Sequence, residues 1–452
     1  MMQSVIKSFA AGVLVLLLAW GTNILFQNKI FYDKTIGKHI RQIQKVNGEM
    51  TAPDKAFEKI TEENLIRWDA VHYLFIRDNY YDQNKVGDYI FNFFPFFSII
   101  WKLSGLSTIG ICIFNYILFF SGLILLFKTF NLSLNSTENL IKYIILITLP
   151  GAVVYFIPYT ESLFFFTICL AFHGVMKNKY PLYFIGLVLC GLTTQKSVLI
   201  AVAIFSKDVY MFITTKDYSK PLFKQIFMNI IPLLIGALAI NVFQYVNDPT
   251  QIFHSYQAQK YWDHVLQIPR NLRDWSQEGF SLNIALLFML IPFLLFTLAT
   301  NVFVKKEKAN PLDELFYFSV FYMLGTAFFI LLFQGGNLHG LFRYVMCTPF
   351  FFAFCLLTMD RFVLIENNKK LAFFFFTFFP ALFTYSFASY LGEWQFYSIG
   401  FFLLFLNFIF LFYFQPYKNV LSKIVFAVVL LFNIVWNVFM LNCYLNDGWI
   451  FT

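Results

Sequence analysis

The chain has 452 residues, of which 59% are hydrophobic, 21% aromatic and only 13% charged. A soluble globular protein carries about 25% charged residues, so this composition leaves too little polar surface to keep the chain in water and excludes a soluble domain. The net charge of +8 reads as the basic cytoplasmic loops of a membrane protein rather than as a nucleic-acid surface, and no nucleic-acid partner is expected.

Apolar runs long enough to cross a hydrocarbon core about 30 Å thick recur along the whole length. In chain order they cover 8–27, 108–128, 141–157, 161–176, 181–194, 197–213, 226–246, 281–304, 313–333, 341–359, 371–390, 396–415 and 424–443. Only helices satisfy the backbone in lipid when no barrel pattern is present. The expectation is therefore an all-α polytopic membrane protein, one domain over residues 1–452, with about 11–13 crossing helices. The first run follows Lys7 and lacks a small-x-small cleavage site after it, so it reads as a first span rather than a signal peptide.

With the N-terminus in the cytoplasm, alternation makes every inner loop basic. These loops hold Lys128 and Lys142; Lys177 and Lys179; Lys207, Lys216, Lys220 and Lys224; Lys305, Lys306 and Lys308; Arg361, Lys369 and Lys370; and Lys418 and Lys423. The outer side has two long segments, 28–107 and 247–280, too polar to span and suited to short surface helices. The sequons at Asn131 and Asn135 fall inside, where they would stay unmodified. The six cysteines form no CxxC pair, and neither a zinc site nor a disulfide framework is indicated.

The chemistry-capable residues gather in the outer turns. In order they are Arg67-Trp68-Asp69-Ala70-Val71-His72-Tyr73, Pro158-Tyr159-Thr160-Glu161-Ser162, Thr194-Gln195-Lys196-Ser197, Gln259-Lys260-Tyr261-Trp262, Asn337-Leu338-His339-Gly340-Leu341-Phe342-Arg343-Tyr344 and Glu393-Trp394. Such a face suits a lipid-linked donor, whose sugar phosphate sits at headgroup level. Sugar transfer needs a carboxylate to take the acceptor's proton and cations to hold the departing phosphate. Asp69 is the candidate base. Arg343, whose guanidinium can hold two phosphate oxygens, is the candidate phosphate ligand, with Lys196 and His339 sharing that role. Arg67, Trp68, His72, Glu161, Gln259 and Trp262 are candidate substrate contacts.

Each has an ordinary reading too. Asp69 can cap a helix or pair with Arg67. Glu161 looks like a first-turn carboxylate favoured by the helix dipole. Arg343 can snorkel to headgroups, and Trp262 and Trp394 can be interface aromatics. His72 with Asp69, Asp82 and Asp88 offers metal-ligand types without ligand spacing, so no metal residue is assigned, although a divalent cation remains possible.

The run Arg67-Trp68-Asp69-Ala70-Val71-His72-Tyr73, followed by Asn92-Phe93-Phe94-Pro95-Phe96, resembles the first outer loop of the GPI mannosyltransferase II family and its bacterial relatives, within the GT-C superfamily of glycosyltransferases. Pro150 through Ser162, Gln259 to Trp262 leading to Pro269, and Phe342-Arg343-Tyr344 with Pro349 are similar to that family's later motifs, in family order from about residue 66 to 350. The resemblance implies a GT-C-like bundle and an inverting mannosyltransferase. It implies a polyprenyl-phosphate mannose donor, a lipid, glycan or protein acceptor, and Asp69 as the essential acid. The implied site is extracytoplasmic, in the plasma membrane of a bacterium or the ER of a eukaryote. Two positions depart from the pattern: Thr194-Gln195-Lys196-Ser197 replaces an arginine-containing turn, and Asp82 replaces a glutamate. The competing expectation is a transporter or flippase of lipid-linked glycans, which would favour ionisable residues deep within spans. A non-catalytic scaffold would leave the polar outer turns unexplained.

Overall fold

The computed structural model describes residues 2–37, 57–81, 87–215, 221–250, 253, 255, 291, 294, 311–333, 340–363, 366–375, 379 and 394–447. Among these residues there is no strand, so the fold is all-α. Among the described residues six helices are long and apolar enough to cross a membrane: α1 (Met2–Gln27), α4 (Thr108–Thr129), α8 (Ser197–Thr215), α9 (Leu222–Asn247), α10 (Pro311–Phe333) and α14 (Val420–Leu445). Shorter apolar helices are α6 (Glu161–Met176), α7 (Tyr180–Thr193), α12 (Pro349–Val363) and α13 (Trp394–Tyr413). The chain is an integral multi-pass membrane protein by these features. Leucines on α1 such as Leu14 and Leu17, and Phe223 and Val242 on α9, stand exposed, as a lipid-facing surface requires.

The helices approach closely where side chains are smallest. A Cβ on Gly186 of α7 would strike the backbone of Thr167 and Ala171 on α6, and Gly191 of α7 lies against Gly236 and the Leu233 carbonyl of α9. Small residues let backbones touch where apolar burial gives no drive between helices in lipid.

Among the described residues two expected crossings are not continuous. The 141–157 run forms helix α5 only over Thr137–Thr148, followed by a single 3-10 turn at Ala152–Tyr155. The 341–359 run breaks into α11 (Leu341–Val345) and α12, parted at 346–348. The physical reason is proline and glycine. Pro150 and Pro349 have no N–H to donate, and Gly151 takes φ 92°, open to glycine and costly for other residues. The two breaks touch, for the Cys347 thiol lies 3.7 Å from the Gly151 carbonyl.

Irregular backbone inside an apolar bundle needs hydrogen-bond partners, and amides from other helices supply them. Asn437 of α14 donates to the carbonyls of Thr148 (2.9 Å) and Leu149 (3.1 Å), and its Oδ1 accepts from the Val153 N–H at 3.1 Å. Asn115 of α4 donates to the Ile157 and Tyr159 carbonyls at 2.7 and 3.0 Å. Ser162 donates to the Tyr155 carbonyl. The segment between α5 and α6 is thus clamped from two sides, which fixes where α6 begins.

The first long segment does hold short helices, α2 (Asp69–Asn79) and α3 (Phe96–Ser104). They share a small aromatic core of Tyr73, Phe91, Phe93, Phe97 and Trp101. Gln244 at the end of α9 donates to the Phe91 carbonyl (2.9 Å), tying that core to the bundle. The second long segment, beyond residue 250, and the expected spans 281–304 and 371–390 lie largely outside the described residues. Long-range polar contacts respect the alternation. Lys142 meets Asp360, Lys207 meets Glu314 and Lys177 meets Asn131 at one end; Gln195 meets Asn92 and Arg67 meets Asp447 at the other.

Candidate functional site

Four charged residues from four segments converge at the second end. Asp69 is the first residue of α2, and Glu161 the first of α6. Lys196 lies in the turn between α7 and α8, and Arg343 is on α11, which Gly340 opens in a left-handed conformation. The Arg343 guanidinium donates through Nη1 to Asp69 Oδ2 at 2.8 Å and through Nε to Glu161 Oε1 at 2.6 Å. Lys196 Nζ stands 3.5 Å from the same Glu161 oxygen. Sequence separations of 274 and 182 residues collapse into one ion cluster.

Aromatic rings wall the cations. Arg343 lies 4.7 Å from the Tyr159 ring centroid, and Lys196 lies 4.5 Å from that of Tyr344. Gln195 fixes the Lys196 turn by donating to the Asn92 carbonyl at 2.6 Å and to its side chain at 3.1 Å. The Tyr73 hydroxyl, 3.3 Å from the Thr160 hydroxyl, holds α2 against the start of α6.

The four groups are not equally reachable. Side-chain exposure is 1% for Glu161, 5% for Arg343, 14% for Lys196 and 18% for Asp69. Glu161 is therefore the inner anchor of both cations, and Asp69 the outer carboxylate. Among the described residues, Glu161 Oε2 is buried without a hydrogen-bond partner, an uncompensated acceptor inside the cluster. Burial holds the Lys196 ammonium below the ordinary lysine range, against the pull of Glu161.

The other expected site residues fall as follows. Arg67 does not pair with Asp69; its Nε reaches Asp447 at 2.9 Å. Trp68 is exposed beside Asp69 and adopts φ 52°, ψ −124°. His72, one turn along α2, packs 4.3 Å from the Phe93 ring, and burial holds its imidazole below the ordinary value of 6.5, with Asp69 opposing. Glu161 is in the first turn of α6 as expected, and it also ties the two cations together. His339, Gln259 and Trp262 lie outside the described residues, as does Asp82. Among the described residues no group of three or more His, Cys, Asp or Glu is placed to hold a metal ion. All six cysteines are free.

Sequence reasoning assigned no role to Tyr159 and Tyr344, which face the cations, or to Asn115 and Asn437, which hold the broken backbone. The signal for the two asparagines is an amide within an apolar run, where a polar group persists only with a partner.

The fold and site define a multi-pass all-α membrane protein with a buried four-residue ion cluster at one end of the bundle. No family model, curated protein or solved structure matches the chain.

Proposed function

We propose that the protein is a membrane glycosyltransferase that moves a sugar from a polyprenyl-phosphate donor to an acceptor hydroxyl at the extracytoplasmic face. The observation carrying this reading is the contact of Asp69 with Arg343, which joins the candidate base to the candidate phosphate ligand. In the proposed reaction the acceptor oxygen attacks the anomeric carbon, the bond from that carbon to the phosphate oxygen breaks, and Asp69 takes the acceptor's proton. Polyprenyl phosphate leaves with the bonding electron pair, its charge held by Arg343 and Lys196.

Glu161 would keep both cations in place while a phosphate oxygen takes over Arg343 Nη1 from Asp69. That exchange releases the Asp69 carboxylate for the acceptor hydroxyl, so the donor binds first. A single displacement inverts the anomeric centre. Mannose as the sugar rests on the family resemblance alone.

A second reading, transport of a lipid-linked glycan, is favoured by the two broken crossings that meet at Gly151 and Cys347, a feature of transporter sites. Release of free polyprenyl phosphate on addition of acceptor separates the two. The direct test is Asp69→Asn in membranes supplied with a polyprenyl-phosphate sugar. Turnover is expected to fall about 100-fold to 10,000-fold; near-normal turnover would remove Asp69 from the reaction.

A further inference from the structure

We propose that Lys128, Lys177 and Lys179 form a binding site for the phosphate headgroup of an anionic phospholipid, at the end of the bundle opposite Arg343. The inference stands apart from the transferase reading. All three lysines sit where apolar helices stop. Lys128 is in the last turn of α4, Lys177 caps the C-terminus of α6, and Lys179 caps the N-terminus of α7. Basic residues at the ends of crossing helices lie at headgroup level, and all three are exposed.

The turns that carry them are hydrogen-bonded and joined to each other. After α4 the Asn131 N–H donates to the Lys128 carbonyl at 3.2 Å, and the Leu132 N–H to the Phe127 carbonyl at 2.9 Å. After α6 the Lys177 N–H donates to the His173 carbonyl at 3.0 Å, and the Lys179 N–H to the Gly174 carbonyl at 2.8 Å. Lys177 Nζ, 3.4 Å from Asn131 Oδ1, and His173 Nδ1, 2.9 Å from the Thr129 hydroxyl, bridge the two turns. That hydroxyl gives its own proton to the Leu125 carbonyl at 2.7 Å, so it accepts from the imidazole. The ammonium groups of all three lysines lie within electrostatic reach of His173, which places them in one neighbourhood. Their backbone is thus fixed before any ligand arrives, and that lowers the cost of binding one.

What this group lacks is a carboxylate. At the same end Lys142 pairs with Glu138 and Asp360, Lys207 with Asp208 and Glu314, and Lys369 with Glu366. Among the described residues Lys128, Lys177 and Lys179 have no ion pair, and no carboxylate acts on His173 beside them. Three like charges held together repel one another, and an anion among them relieves that repulsion. The adjoining surface points to a lipid as the source of the anion. Ile113 and Ile117 are exposed and Ile124 is half-buried, and their spacing puts them on the face of α4 that ends at Lys128. An acyl chain lying along that apolar face brings its headgroup to the three lysines; a soluble phosphate gains nothing from it. Clustered lysines at the end of a crossing helix are also the pattern that anionic headgroups recognise.

The test titrates phosphatidylglycerol and phosphatidylcholine of matched acyl chains into the full-length protein in detergent, with bound lipid on the folded protein read by native mass spectrometry. Wild type is expected to bind phosphatidylglycerol in preference to phosphatidylcholine. Lys128→Gln, Lys177→Gln and Lys179→Gln together should weaken phosphatidylglycerol binding about 100-fold. Lys128→Arg, Lys177→Arg and Lys179→Arg together keep the charge and should retain it. Lys418→Gln with Lys423→Gln, from another basic loop, should leave it near wild type. Three results would each overturn the inference. One is a wild type with no preference for phosphatidylglycerol. Another is an equal loss in the triple glutamine variant and the Lys418/Lys423 variant, which would mean diffuse attraction to basic loops. The third is displacement of the lipid by millimolar inorganic phosphate, which would make this a site for soluble anions.

Discussion

Among the described residues, the ion cluster around Arg343 and the one around Lys207 lie at opposite ends of the bundle, and they are built differently. At the far end Lys207 of α8 lies 2.8 Å from Asp208 and 2.7 Å from Glu314. Both Asp208 oxygens are matched, for Gln225 donates to Oδ1 at 3.4 Å and Asn229 to Oδ2 at 2.9 Å. The cluster's buried carboxylate is therefore fully satisfied, while the Glu314 side chain is 34% exposed. At the other end Glu161 keeps one oxygen without a partner among the described residues, and Asp69 reaches the surface. A satisfied buried network fixes a packing arrangement. An incompletely satisfied one is where a ligand's polar groups find partners. Buried charge alone therefore does not mark the site; incomplete satisfaction beside a reachable carboxylate does.

The sharpest way to break this comparison is one conservative change at each end. Arg343→Lys keeps the charge but loses the planar fork that spans Asp69 and Glu161. Transfer is expected to fall about 100-fold to 1,000-fold, with the folded protein recovered in normal yield. Lys207→Met removes the cation shared by Asp208 and Glu314. It is expected to destabilise the protein by about 3–5 kcal/mol while the turnover of the surviving folded fraction stays near normal. Detergent melting curves together with turnover per folded molecule read both. Reversal of the pattern, with Lys207 controlling turnover and Arg343 only stability, would sink the assignment of the site to the Asp69 end.

A smaller effect sharpens the role of the broken backbone. Asn437→Leu leaves the Thr148 and Leu149 carbonyls and the Val153 N–H without their partner. The expected loss is about 1–3 kcal/mol for each group left unmatched and buried, and α6 then starts less firmly, so Arg343 and Lys196 lose their fixed anchor. Asn433→Leu is the control, since the Asn433 side chain pairs with the Asn407 side chain and the Thr148 hydroxyl rather than with backbone groups of the broken segment. Equal turnover per folded molecule in both variants would mean that Asn437 supports stability alone.

Much of this was legible in the sequence, for reasons that differ by residue. Crossing helices announce themselves because apolar length is a one-dimensional property. The alternation of basic loops then put Asp69, Glu161, Lys196 and Arg343 on one face before any contact was known. Their pairing was not legible, since nothing local distinguishes Arg343 held by Glu161 from an arginine that snorkels. The Pro150–Gly151 dipeptide was visible, but hydropathy averaged over it and extended the helix to residue 157. What stops α5 at Thr148 is a proline with no N–H to offer, and what makes the stop tolerable is Asn437, almost 290 residues away.

The smallest expected effect concerns His72, which lies between the site and the aromatic core of α2 and α3. Burial against Phe93 depresses its imidazole below 6.5, and the Asp69 carboxylate only partly offsets this. The unfolded chain takes up the proton at about 6.5, the folded chain only at lower pH. Between those two values the unfolded state binds more protons, so stability falls as pH drops. Melting temperature is therefore expected to decline from pH 7.5 to pH 5.5, and His72→Gln should decline less. An identical decline in both proteins would show that His72 is not the titrating group. The same neutrality has a consequence for the site. A charged imidazole one turn from Asp69 would compete with Arg343 for its carboxylate. In the proposed reaction a neutral His72 would be left to hydrogen-bond the acceptor hydroxyl, with Asp69 as the proposed proton acceptor.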